Sequence, residues 1–181
     1  MMLRVAYICA DPDVPVFGWR GSSVHVQEVI RAFRNLGAEV TLFTPPPAGY
    51  APPDLIDLNV REIQIPETTN EAEREEALLA SNRQLIHLLE HHGPFDLVYE
   101  RYSLWGFGGM SYARAQSVAG VLEVNAPLLE LGMANKTLRD SGGARQIAKR
   151  AFSDASVLVA ISKEIGEYLR SLQSKTHGGW P

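Results

Sequence analysis

Hydrophobic positions along this chain switch repeatedly between two periods. "LRVAYICA" (residues 3–10) is a β-branched and aromatic run of strand length, bounded by "DPDVP", and it predicts a buried first strand. From Ser23 onward Val26, Val29, Ile30, Phe33 and Leu36 recur at the spacing of one helical face. Ser22 or Ser23 can cap that helix, and Gly37 can take the left-handed backbone that closes it. "AEVTLFT" (38–44) reads as a second strand, stopped by Pro45, Pro46 and Pro47, and strand signals resume at "NVREIQIP" (59–66) after a Pro-rich loop. Thr69 or Asn70 opens a longer helix, with Asn70 and Glu73 spaced as a capping box. Its first turns are acidic, where the helix dipole favours acid, and Gly93-Pro94 ends it. "FDLVYE" (95–100) is a buried strand, "WGFGGMSYARAQSV" (105–118) a weaker, glycine-interrupted helix, and "GVLEVNA" (120–126) a further strand. After an irregular stretch come the helix "ARQIAKRAFSDA" (144–155), the strand "SVLVAIS" (156–162) and the helix "KEIGEYLRSL" (163–172). The tail "QSKTHGGWP" has no period and is expected to fray.

Strands of this length alternating with helices predict an α/β fold, a mostly parallel sheet with helices on both faces. Such sheets bind ligands at the carboxyl ends of their strands, near the point where strand order reverses. Here those ends fall at Cys9 to Arg20, after Thr44, at Glu100-Arg101-Tyr102, at Asn125-Ala126-Pro127 and at Ser162. The polar residues worth weighing gather there. No internal repeat interrupts the alternation.

Composition narrows the function. A chain of 181 residues suits one well-buried domain. Its net charge is −4 and its Lys and Arg are dispersed, so nucleic acid is not an expected partner. The single cysteine, Cys9, rules out an internal disulfide and fits a reducing compartment. No apolar run reaches the roughly 20 residues that span a bilayer. A soluble, cytoplasmic protein is expected, with peripheral attachment to the inner face of a membrane still compatible.

Each candidate site has a structural alternative. Gly21-Ser22-Ser23 is either a capped turn or a loop whose amides approach an anion, since first-turn amides are unpaired donors at a positive helix end. Neither a dinucleotide G-x-G-x-x-G nor a P-loop lysine follows the first strand. His25 is either a surface residue or a ligand group on the first helical turn. In "YERYSLWGFGG", Glu100 and Arg101 form either a structural ion pair or a polar platform, with Tyr102 and Trp105 able to stack on a sugar face. Glu123 interrupts an apolar run, and Asn125 ends it either as a turn former or as a ligand contact. Ser162 is most simply a helix cap, and His87 and His91 a solvated helix end rather than a metal site.

Together "RGSSVHVQEVIRAFRNLGAEVTLFTP", "FDLVYERYSLWGFGG", "GVLEVNAPLL" and "DASVLVAISKEIGEYL" resemble the N-terminal domain of retaining GT-B glycosyltransferases of family 4. The resemblance covers residues 1–171, leaving 172–181 as a frayed tail. It implies a Rossmann-like domain facing a second, donor-binding domain that is absent from this chain, so the chain alone is expected to be inactive. It further implies that Gly21, Ser22 and Arg20 meet the donor diphosphate, and that Ser23, His25, Tyr102, Trp105 and Asn125 line the acceptor side. Glu100 and Arg101 would stand near the reacting sugar. Neither cofactor nor metal is expected, because helix-end amides and cationic side chains offset the charge of the leaving diphosphate. The implied partners are a nucleotide-sugar, a glycan, lipid-linked or small-molecule acceptor, and the missing domain. Weak self-association through the aromatic edge at Phe17, Trp19, Tyr102 and Trp105 is also expected. A non-catalytic Rossmann-like subunit that docks a separate nucleotide-binding partner is the alternative, and a flavodoxin-like enzyme or response-regulator domain a weaker one.

Overall fold

The computed structural model describes residues 2–174. Six strands form one parallel sheet: β1 (Arg4–Ile8), β2 (Glu39–Thr44), β3 (Asn59–Glu62), β4 (Leu97–Arg101), β5 (Ala119–Val124) and β6 (Val157–Ala160). Their order is β3-β2-β1-β4-β5-β6. The chain therefore builds outward from β1, returns, and builds outward again from β4. Strand order reverses between β1 and β4, where Val5 pairs with Leu97 and Ile8 with Glu100.

The helices are α1 (Gly21–Asn35), α2 (Glu71–His92), α3 (Gly108–Gln116), α4 (Leu128–Ala134), α5 (Ser141–Asp154) and α6 (Lys163–Ser174). Alternation along the strands divides the core in two. On one face Val26 and Ile30 of α1, with Leu55 of a short 3-10 turn, bury Val5, Tyr7, Cys9, Val40 and Leu42. On the other, α2, α3, α5 and α6 bury Ala6, Ile8, Val98, Leu122 and Val124. This is the two-faced α/β architecture that the alternating pattern predicts.

Boundaries follow local chemistry. Asn70 caps α2 by accepting from the Glu73 amide at 3.0 Å, and the Glu73 carboxylate accepts from the Thr69 amide at 3.1 Å. Gly37 closes α1 at φ +82°. Ser162 Oγ accepts from the Ile165 amide at 3.3 Å, as a cap of α6 should.

Three expectations need correction. Neither Ser22 nor Ser23 caps α1: the N-cap is Arg20, and both serines lie inside the first turn. Ser23 is fully buried beside Gly18 and so faces the core. α4 occupies part of the stretch that the sequence pattern reads as irregular, because seven residues after a proline are too few to show a helical period. Finally, α6 runs to Ser174, two residues beyond the helix read as ending at Leu172, which is buried. The rest of the tail lies outside the described residues.

Candidate functional site

The reversal between β1 and β4 opens a cavity of about 410 Å³ at the carboxyl ends of these strands. Asp11, Pro12 and Asp13 enter it after β1, and Ser103, Leu104 and Trp105 after β4. α2 contributes Glu71, Arg74 and Leu78, and α4 contributes Leu128 and Leu131. Trp105 takes a left-handed backbone at φ 69°, which a bulky residue adopts only when its surroundings hold it there. Asn82 of α2 does the holding. Its amide nitrogen donates to Trp105 O at 2.9 Å, while its Oδ1 accepts from the amides of Phe107 and Gly108 at 2.7 and 2.8 Å.

A second polar cluster centres on Glu123, a carboxylate only 2% exposed at the carboxyl end of β5. His25 Nε2 lies 2.9 Å from Glu123 Oε1, Asn125 Nδ2 donates to the same oxygen at 2.7 Å, and the Tyr99 hydroxyl donates to Oε2. Arg101 Nη1 stands 3.7 Å from Oε1. Burial alone would raise the Glu123 carboxyl, but the bonds from Tyr99, His25 and Asn125 outweigh it and hold the group below its ordinary range. An ionised carboxylate only accepts, so Nε2 of His25 carries a proton and Nδ1 is the nitrogen left for a ligand. Asn125 Oδ1 is buried without a partner among the described residues.

Arg101 acts through its charge on Asp11, which lines the cavity, as well as on Glu123. Burial pushes the Asp11 carboxyl up, and the positive charge of Arg101 is one of the influences that oppose it.

Helix termini at this edge differ sharply. The α3 amides are taken up by Asn82 and by Glu100, whose Oε2 accepts from the Met110 amide at 3.2 Å. α5 is capped by Asp140 and α2 by Asn70. The long helix α1 has no side-chain cap among the described residues. Its first residue, Gly21, is exposed, and a Cβ placed there would meet nothing within 4 Å. Nothing among the described residues therefore requires glycine at position 21.

The structure gathers some of the expected site residues and separates others. Arg20, Gly21 and Ser22 stand at the open end of α1, and His25, Arg101 and Asn125 converge on Glu123. Glu100 does not fit a catalytic role. It is 1% exposed beneath α3, where Gly109 makes room for it; a Cβ on Gly109 would stand 2.4 Å from Glu100 Oε2. Burial pushes its carboxyl from 4.5 to about 7. Tyr102 does not face a ligand either, because it is buried and packs against Phe152 at 5.1 Å between ring centroids. Ser23 is likewise buried, its hydroxyl without a partner among the described residues. Trp105 is buried but remains a wall of the cavity.

Sequence reasoning gave no role to Glu123, Asp11 or Asn82. For Glu123 the signal existed: a charge at the alternate position between Val121 and Asn125, inside an apolar strand. Asn82 and Asp11 carry no comparable signal, being a polar residue in a polar helix and part of an ordinary "DPD" turn.

The model of a glycosyl transferase 4-like domain matches residues 20–177. No curated protein sequence matches the chain. Among solved structures, sucrose-phosphate synthase from Thermosynechococcus elongatus superposes with a TM-score of 0.63 at 13% identity, over 93% of this chain and 45% of that one. MurG from Acinetobacter baumannii superposes at 0.53, also at 13% identity, over 88% and 42%. The chain therefore spans less than half the length of these similar structures.

Proposed function

Because the chain belongs to the glycosyl transferase 4-like family, we propose that it is the acceptor-side half of a retaining glycosyltransferase. The enzyme would take a sugar from a nucleotide-sugar and pass it to a hydroxyl acceptor. One observation carries this reading: the uncapped α1 terminus with its unobstructed Gly21 stands at the same sheet edge as the His25–Glu123 pair. Unpaired first-turn amides and a helix dipole suit a diphosphate, and the absent Cβ lets it approach the backbone. Arg20 is exposed at the same turn and adds a cation.

In this reading the acceptor oxygen forms a bond to the anomeric carbon on the face from which the diphosphate departs, and the hydroxyl proton passes to the departing diphosphate oxygen. Donors fixed at the developing diphosphate charge accelerate such a step without reorganising. His25, held by Glu123, orients the acceptor or the transferred sugar through Nδ1, and Arg101 adds positive charge behind it. The donor's nucleotide is held by a second domain facing this one, and a protein of this kind works in the cytoplasm. No helix among the described residues is long and apolar enough to cross a membrane.

The test joins this chain to a donor-binding domain and follows the product by proton NMR. The product is expected to keep the anomeric configuration of the donor, and the 181-residue chain alone to form none. An inverted product would overturn retention, and full turnover by the chain alone would overturn its role as a half.

A further inference from the structure

The two oxygens of Glu123 are held by different donors. His25 and Asn125 bond Oε1 at 2.9 and 2.7 Å, and Arg101 stands 3.7 Å from that same oxygen. Oε2 accepts from the Tyr99 hydroxyl alone among the described residues. Glu123 is 2% exposed, so little water reaches it to replace a lost donor.

Tyr99 is itself fixed. Its ring stacks on Tyr7 at 5.4 Å between centroids, and Phe33 meets it edge-on, also at 5.4 Å. Phe33 lies on α1, about two turns beyond His25. Tyr99 therefore touches α1 through Phe33 and Glu123 through its hydroxyl, and Glu123 returns to α1 through His25. The circuit of contacts is closed. Burial, then the bond to Glu123 and its charge, push the Tyr99 phenol well up, so it keeps its proton and serves this carboxylate as a donor.

We infer that Tyr99 is a positioning residue of the transfer site: its hydroxyl fixes one oxygen of Glu123, so that the other stays aimed at His25 and keeps that ring turned with Nδ1 toward the ligand. This rests on the glycosyl-transfer reading for what His25 does, whereas the hold of Tyr99 on Glu123 belongs to the fold itself. Without the hydroxyl, Oε2 would be a buried anionic oxygen with no donor. The carboxylate would then take up a proton or rotate, and either course loosens its hold on His25. The surrounding groups cannot make good the loss. His25 on α1 and Arg101 on β4 are engaged at Oε1. Tyr7 and Cys9 on β1 stay neutral, burial pushing the phenol well up and the thiol to about 12, and β6 sets the apolar Val159 beside Glu123. Burial raises the Glu123 carboxyl, and the bond from Tyr99 is foremost among those that bring it below its ordinary range. Losing that bond raises it, so on acidification the ionised form that holds His25 is lost at a higher pH.

The first arm of the experiment uses the 181-residue chain labelled with carbon-13 at glutamate Cδ and tyrosine Cζ, the signals assigned by Glu123→Gln and Tyr99→Phe. Tyr99→Phe keeps the ring between Tyr7 and Phe33 and removes only the donor. The midpoint of the Glu123 titration is expected to rise by about 1–2 pH units, the shift that matches one lost hydrogen bond to a charged group. In the unmodified chain the Tyr99 Cζ resonance is expected to move with the Glu123 titration, which decides the matter even where the variant does not fold. The second arm follows transfer by the two-domain enzyme. The acid limb of kcat against pH should rise by the same interval in Tyr99→Phe, whereas a merely structural role would lower kcat alike at every pH. An unmoved Glu123 midpoint, a Tyr99 resonance indifferent to that titration, or an acid limb that stays in place would each overturn the inference. Transfer by the unmodified two-domain enzyme tests the glycosyl-transfer reading, and the first arm needs no donor, so the two failures are told apart.

Discussion

At the scale of single residues, two buried glutamates play opposite parts. Glu123 is held ionised by its donors, whereas Glu100 is pushed toward neutrality by burial with one amide for support. The folded form of Glu100 holds its proton more tightly than the unfolded chain. Its contribution to stability is therefore complete below 4.5 and is lost as pH rises toward about 7. That loss amounts to up to about 3 kcal/mol. Glu100→Gln keeps an acceptor for the Met110 amide but cannot ionise. Urea unfolding of this variant is expected to lose most of the decline in stability seen for the unmodified chain between about pH 5 and about pH 8. An unaltered decline would mean that Glu100 titrates as it does when unfolded. Glu123→Gln tests the other carboxylate in a transfer assay of the two-domain enzyme. Removing the charge that orients His25 should lower kcat by about tenfold to a hundredfold, the range of a lost charged hydrogen bond. Unchanged kcat would make the cluster purely structural.

At the scale of elements, strands and helices were legible because burial writes its period into the sequence. Val26 and Ile30 announce the buried face of α1, and "FDLVYE" the buried β4. Contacts between elements leave no such trace. The start of α3 at Gly108 is set by Asn82, 26 residues away on α2, and no local pattern around Asn82 reports that bond. The convergence of His25 with Glu123 likewise spans 98 residues, so the sequence could offer the participants but not their pairing. Tyr102 shows the converse, an aromatic residue at a strand end that suited a ligand and went instead to the core against Phe152. Asn82→Ala measures the reach of the cross-helix cap. It strips partners from the amides of Phe107 and Gly108 and from Trp105 O. Each buried polar group left unmatched costs about 1–3 kcal/mol, so an overall loss of about 3 kcal/mol is expected in chemical denaturation. A change near zero would show that the α3 terminus rearranges without it.

At the scale of the whole molecule, the start of α1 and the loops after β1, β4 and β5 share one edge of the α/β sheet, and the proposal sets a donor domain opposite that edge. Exposed aromatic area at that edge is narrower than the sequence suggested. Trp19 is 88% exposed, but Tyr102 and Trp105 are buried, so weak self-association would run through Trp19. Sedimentation of Trp19→Ser should show less association than the unmodified chain, and identical profiles at high concentration would remove that surface from consideration. The central claim is that the open α1 terminus holds the donor diphosphate, and Gly21→Val bears on it most directly. Gly21 is not among the residues of positive φ, so valine is not excluded by the backbone, and its Cβ finds open space among the described residues. Any loss must then arise at the ligand. The measurement is kcat of the two-domain enzyme carrying Gly21→Val, taken together with its Tm. The expected result is a fall of about a hundredfold to a thousandfold at an unchanged Tm, the effect of losing one oriented donor at developing charge. Full turnover at that same Tm would return Gly21-Ser22-Ser23 to a plain helix start and contradict the account.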